Sequence, residues 1–296
     1  MILVTGATGV SGSLVIREFA RKNAPVRALV RNRAKARAIE TFPTVEMVEG
    51  NMLRPETLGA ALDNVDRVLM ISSAAERMLE TQCTFIDAAK KAGVRHIVKF
   101  SGKGSGIGFN TKLFRTVRLH EEIERHLEGS GLAWTHLRPS QFMQFYFPGA
   151  PAMNLTANTL SLPMENAKLS PVAIEDIAKV AFALLHSEGH EGKSYDMTGP
   201  EALTMAEVAK QISQATGRTI EYVNITLEEY RRAMLAAGAP PERADAFVEL
   251  WSERRGGNSE SRVDLGTHEI FGVHPTTFAE FACWNAAVFC GEPMPS

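Results

Sequence analysis

A doubly wound α/β fold, with a parallel sheet and a smaller α/β unit after it, is predicted from three observations. The chain opens on a short apolar run, Ile2-Leu3-Val4, of the kind that forms a strand buried on both faces. Three glycines follow at a spacing of three, Gly6, Gly9 and Gly12, and lead into a helical pattern. Strand-like and helix-like stretches then alternate as far as Arg138-Pro139, where the alternation stops. The organisation expected is a nucleotide-binding unit over 1–145 and a smaller substrate-binding cap over 146–296, interleaved with it.

Each element carries its own signal. Leu14, Val15 and Phe19 fall on one side of a helix expected over Ser13–Arg21. Strand, glycine turn and helix in that order let backbone N–H groups approach a pyrophosphate, and the helix start supplies unpaired donors and partial positive charge. A second strand, Val26–Val30, ends at Arg31, which lies 19 residues past Gly12. A residue in this place reads the ribose: an acid holds a 2′-hydroxyl and repels a 2′-phosphate. Here Arg31, Arg33, Lys35 and Arg37 put four positive charges within seven residues. Arg31 offers a bidentate phosphate contact and Lys35 a point charge, which points to NADP rather than NAD.

After a third strand, Val45–Val48, the amide of Asn51 and the side chain of Met52 are candidates to meet an adenine, with a core role equally open to Met52. Leu58–Leu62 reads as a short helix and Val65–Ile71 as the fourth strand; Ser72 and Ser73 follow it, small hydroxyls suited to the phosphates and nicotinamide ribose. Met78–Gly93 is a helix closed by its glycine, His96–Phe100 the fifth strand, and 101–108 a glycine-rich loop at the ligand edge. A helix over Phe114–Leu127 sets His120 and Glu124 on one face, which offers a histidine–carboxylate pair. Trp134–Leu137 is the sixth strand. The aromatic segment Phe142–Phe147 suits a pocket wall for a flat substrate, with Phe142, Met143 and Tyr146 as lining residues; core packing explains such a run as well. Further helices are expected over Val172–Leu185, Thr204–Gly217 (Thr204 and Glu207 forming a capping box), Thr226–Gly238, Arg243–Arg255 and Thr277–Phe289, with a strand at Ile220–Val223.

Composition narrows the partners. Apolar residues make up 45 % of the chain and the net charge is −2, so neither nucleic acid nor an acidic membrane is expected as the main partner. No apolar run reaches the roughly 18 residues that span a bilayer. Cys83, Cys283 and Cys290 have no metal-type spacing and read as free thiols of a reducing compartment. A cytoplasmic protein without a metal is expected, as monomer or homodimer.

The motifs together resemble a known group. Thr-Gly-Ala-Thr-Gly at 5–9, Arg31-Asn32, Glu49-Gly50-Asn51, Ser72-Ser73, Leu137-Arg138-Pro139, Ser170-Pro171-Val172 with Glu175-Asp176-Ile177-Ala178, Tyr195 to Pro200 and the tail around Pro275 to Phe281 match the NmrA-like branch of atypical short-chain dehydrogenases/reductases. The chain looks most like the flavin-free, NADPH-dependent azoreductases, with triphenylmethane-dye and quinone reductases as neighbours. The resemblance implies a Rossmann sheet, a small C-terminal domain and a substrate cleft between them. It implies that Gly6, Thr8, Gly9, Val10, Ser11 and Gly12 hold the pyrophosphate. Arg31 and Lys35 would read the 2′-phosphate, Asn51 and Met52 would meet the adenine, and Ser72 and Ser73 the nicotinamide side. Pro139 and Phe142 would back the nicotinamide ring.

Most short-chain reductases pair a Tyr with a Lys four residues on, plus a Ser. Here Thr116 falls near the Tyr position, His120 near the Lys position and Ser101 at the Ser position. Candidate catalytic residues are therefore His120 and Ser101, with Lys103 on the glycine loop. A missing tyrosine disfavours ketones, which need an acid for the developing alkoxide. Quinones, cationic dyes and quinoid hydrazone tautomers of azo dyes already accept hydride well, so positioning is most of their catalysis. The expected activity is flavin-free hydride transfer from NADPH to a small aromatic electrophile. The alternative is an NADP(H)-binding redox sensor without turnover.

Overall fold

The computed structural model describes residues 1–72, 77–102, 115–149, 153–154, 157–256 and 261–293. Its elements run β1 Ile2–Val4, α1 Val10–Arg21, β2 Val26–Val30, α2 Arg37–Glu40, β3 Val45–Glu49, α3 Gly59–Leu62, β4 Arg67–Met70, α4 Met78–Lys91, β5 His96–Phe100, α5 Arg115–Glu128 and β6 Ala133–Pro139. The second half continues with β7 Met153–Asn154, β8 Thr159–Leu162, β9 Lys168–Leu169, α6 Ile174–His186, β10 Lys193–Met197, β11 Leu203–Thr204, α7 Met205–Thr216, β12 Glu221–Asn224, α8 Leu227–Ala236, α9 Pro241–Arg255, α10 Gly266–Phe271, α11 Phe278–Trp284 and α12 Ala286–Phe289.

Seven strands form one sheet in the order β10-β6-β5-β4-β1-β2-β3, with every neighbouring pair parallel. Parallel pairing needs a crossover at each step, which the alternating sequence supplies with helices. Helices α1 and α6 cover one face, with Phe19 edge-on to Phe182 at 4.9 Å between ring centres; α4 and α5 cover the other. All five residues of β2 are buried, as expected of a strand covered on both faces; Arg27 among them donates to the carbonyls of Ala60, Ala61 and Asp63. β10 and α6 come from beyond residue 145 and complete this layer. The pairing of Lys193–Met197 with Thr135–Pro139 is a long-range addition that local patterning does not announce.

The smaller unit packs β8 with β7 and β12, and a short β9–β11 pair, against α7, α8, α9, α11 and α12. Its core holds Tyr146, Trp251, Phe278, Phe281 and Phe289, all under 2 % exposed. Thr204, Thr226 and Thr277 each open a helix through a capping box with a glutamate three residues on, satisfying amides that a helix start leaves unpaired. The helix expected over Thr277–Phe289 is two: the chain leaves helical geometry at Asn285, with φ −112°, between α11 and α12. The first helix begins at Val10 rather than Ser13, with Gly9 in extended geometry as its N-cap. No helix among the described residues is long and apolar enough to cross a membrane.

Candidate active site

In an open parallel sheet, ligands bind at the carboxyl ends of the strands where the connections diverge to opposite sides. Here that point lies between β1 and β4. Thr5 ties the two strands there: its hydroxyl donates to Ile71 O at 2.6 Å and accepts from Ile71 N at 2.9 Å. The turn after β1 is tight. Gly6 has φ +60°, and a Cβ on it would lie 2.8 Å from Ile71 O. Gly9 N donates to Gly6 O at 3.0 Å, and a Cβ on Gly12 would come within 2.2 Å of that same oxygen. Only glycine lets the helix start fold back this closely on the strand end.

The result is an open donor site. Ser13 N bonds Gly9 O at 2.9 Å, so the amides of Val10, Ser11 and Gly12 precede the first helical hydrogen bond. No side chain caps α1 and no acid occupies its first turn. Thr8, Gly9 and Val10 are exposed and Ser11 is half-buried. These groups fit an anionic pyrophosphate.

At the end of β2, Arg31 and Lys35 are exposed and have no ion-pair partner among the described residues. Their neighbour Arg33 is already engaged, its amide donating to Glu49 Oε1 at 2.7 Å and its guanidinium 3.7 Å from Glu40. Asn32 turns the segment by accepting from Ala34 N. Past β3, the carbonyl of the Asn51 side chain accepts from Leu53 N at 3.0 Å, which leaves its NH₂ to face a base. Met52 is a correction: it is 8 % exposed and packs in the core with Leu29 and Leu58, so it offers an adenine little surface. Ser72 follows β4 and accepts from Gln82 Nε2 at 2.8 Å. Ser73 and Lys103, with most of the 101–108 loop, lie outside the described residues.

Pro139 ends β6, buried, and Phe142 follows half-buried, edge-on to Phe100 at 6.0 Å. The chain there is pinned by Ser140, whose amide bonds Met197 O and whose hydroxyl bonds Ser170 O, and by Met143 N on Val172 O. Met143 and Tyr146 are further corrections. They are 1 % and 0 % exposed and pack in the core of the smaller unit. A short helical turn over Met143–Tyr146 sends its side chains inward, so of the three expected lining residues Phe142 alone stays at the strand ends.

The candidate acids form a buried polar cluster. His120 is not paired with Glu124: its Nδ1 lies 3.0 Å from Lys99 Nζ. Glu124 instead takes a two-point contact from Arg138, at 3.0 and 2.7 Å. Burial alone would raise the Glu124 carboxyl, but Arg138, His136 and the Ser101 hydroxyl outweigh it and hold the carboxyl below its usual range. His136 in turn faces Glu128 at 3.0 Å. Burial first, then the charge of Lys99, pushes His120 well below the ordinary histidine value, so at neutral pH it is an uncharged imidazole. Sequence reasoning missed Lys99. The signal was a lone lysine at 99 within the otherwise apolar Ile97–Phe100, on a strand expected to be buried on both faces.

Comparison with known proteins fits this geometry. An NAD(P)H azoreductase of Xenophilus azovorans is 37 % identical over 289 residues, covering 98 % of this chain and 99 % of that protein. The crystal structure of the NADPH-dependent quinone oxidoreductase QOR2 of Escherichia coli, complexed with NADPH, superposes with a TM-score of 0.82 at 28 % identity, over 95 % of this chain and 98 % of that one. The triphenylmethane reductase of Citrobacter sp., complexed with NADP(H), shares the fold with a TM-score of 0.83 at 24 % identity, over 97 % and 100 % of the two chains. The model of the NmrA-like family matches residues 1–282, and with the strand order and glycine turn above this chain belongs to the NmrA-like family.

Proposed function

We propose that the chain is an NADPH-dependent reductase that delivers hydride directly, without a flavin, to flat conjugated electrophiles of the azo-dye or quinone type. The observation that carries the reading is the convergence, at one sheet edge, of an uncapped helix start behind a glycine turn with two exposed basic residues at the end of β2 that have no ion-pair partner among the described residues. The whole-length likeness to an azoreductase supports the substrate class.

NADPH supplies the hydride when bound. The backbone amides of Gly6, Thr8, Gly9, Val10, Ser11 and Gly12, with the hydroxyls of Thr8 and Ser11, would hold its pyrophosphate, and Arg31 and Lys35 would take the 2′-phosphate. Asn51 offers its NH₂ to the base, and Ser72 and Ser73 serve the ribose side. Pro139 and Phe142 form a flat apolar wall that orients the ring and keeps water from one side of it. Close, oriented contact is the main contribution such a site makes to an acceptor that is already electrophilic.

The test is to follow NADPH oxidation by purified protein, shown to carry no flavin, with azo dyes, quinones and a triarylmethane dye. Turnover of at least one class with NADPH and little with NADH is expected. Tight NADP(H) binding with no turnover of any acceptor would refute the reductase reading and is the behaviour of a sensor.

A further inference from the structure

Lys99 is entirely buried in the middle of the sheet. The charged and titratable groups facing it are His120 and Glu124 of α5, His136 and Arg138 of β6 and Cys83 of α4. Glu124 is committed to Arg138, and the hydrogen-bond contact of Lys99 is with His120 Nδ1 at 3.0 Å. Burial pushes the Lys99 amine down to about 7, against the pull of Glu124 and with the push of Arg138.

An ammonium has no lone pair, so while Lys99 is charged it must donate to Nδ1. The proton of the neutral imidazole then sits on Nε2. That nitrogen lies beneath Gly102: a Cβ built there would be 2.5 Å from it. Gly102 is exposed, one residue past Ser101, at the same strand-end edge as the cofactor residues. Gly102 itself puts no side chain over the Nε2 edge of the ring, and His120 keeps 8 % of its surface exposed.

We propose that Lys99 is the positioning residue and proton source behind His120, so that the pair forms a two-step proton relay in place of the absent tyrosine. The proposal rests on the reductase reading above. Hydride from NADPH adds to the electrophile and leaves an electron pair on its nitrogen or oxygen. That atom takes the proton from His120 Nε2 as the N–H bond there breaks. Nδ1 takes a proton from Lys99 Nζ, leaving a neutral amine and the other tautomer of the imidazole. Lys99 regains a proton from solvent and the tautomer is reset. The sum is one substrate, one NADPH and one proton, giving the reduced product and NADP⁺.

The experiment compares wild type, Lys99→Met, His120→Gln and the double variant. Wild-type kcat at saturating NADPH should fall as pH rises through the region near 7. Lys99→Met should lose about 10- to 100-fold in kcat on the acid side, show no such step, and keep its KM for NADPH. The double variant should be no slower than His120→Gln, because the two residues act in series. Nitrogen-15 NMR of the imidazole supplies a readout apart from turnover: Nε2–H in wild type on the acid side of the step, and a changed tautomer balance in Lys99→Met. An Nδ1–H tautomer there, additive losses, or an unmoved pH step in Lys99→Met would overturn the relay while leaving the reductase reading intact. Absence of wild-type turnover with every acceptor would remove the reductase reading and the relay together.

Discussion

Replacing Gly12 with alanine tests the cofactor cradle at its tightest point. The new Cβ would lie 2.2 Å from Gly6 O, 2.8 Å from Gly6 C and 2.9 Å from Ala7 Cα. All three are backbone atoms, so no side chain can swing away. Relief requires the strand end and the helix start to part by about 1 Å, in an interior packed as densely as a crystal. Overpacking of this kind costs about 1–3 kcal/mol. The same displacement moves the amides of Val10 and Ser11, and a shift of about 1 Å in a positioning group costs on the order of 100-fold in rate. Gly12→Ala should therefore lower Tm by several degrees and reduce kcat/KM for NADPH by one to two orders of magnitude, both scaled from those about-1 Å estimates. The paired control is Gly59→Ala, on α3, where an added Cβ meets nothing within 4 Å. That change should stabilise the protein by about 0.4–1 kcal/mol through the unfolded chain and leave kcat/KM alone. Thermal melts and initial rates on both variants decide the matter. A Gly12→Ala protein with the wild-type Tm and wild-type NADPH kinetics would refute the reasoning.

Other expectations follow from the same geometry. Arg31→Ala should raise the KM for NADPH strongly and leave NADH nearly untouched; equal losses with both cofactors would remove its 2′-phosphate role. Arg138→Met removes the two-point cationic partner of the buried Glu124 carboxylate and should cost about 3–5 kcal/mol in denaturant unfolding. The Glu124 carboxyl is depressed in the folded protein, so its contribution is full above the ordinary glutamate range and is lost as pH falls through the folded value. Glu124→Gln should therefore flatten the acid limb of a Tm–pH profile. Lys99 shows the opposite linkage. The unfolded chain holds its proton up to about 10.5 and the folded protein only to about 7. Lys99→Met should raise Tm most at and below neutral pH, with the gain shrinking as pH rises toward 10.5.

Elements whose signals are local are legible in the amino-acid order alone. The strand–glycine–helix opening, the Arg31 and Lys35 position after β2 and the capping box at Thr204 each follow from residues within a few turns of one another. These features depend on backbone sterics and side-chain period, which a short window contains. Features that depend on distant partners emerge only once the chain is folded. Asp176, in the Glu175-Asp176-Ile177-Ala178 run, proves to accept from Thr276 N, 100 residues away, and so fastens the tail to α6. Met143 and Tyr146 look like a pocket wall in sequence, yet the helices from α7 onward bury them. His120 and Glu124 share a helix face, but each finds a stronger partner on the sheet: Lys99 for one and Arg138 for the other. Desolvation sets those pairings. A buried charge takes whichever partner the packing brings within reach, and the helix periodicity that placed the two residues on one face carries no information about the sheet beneath it.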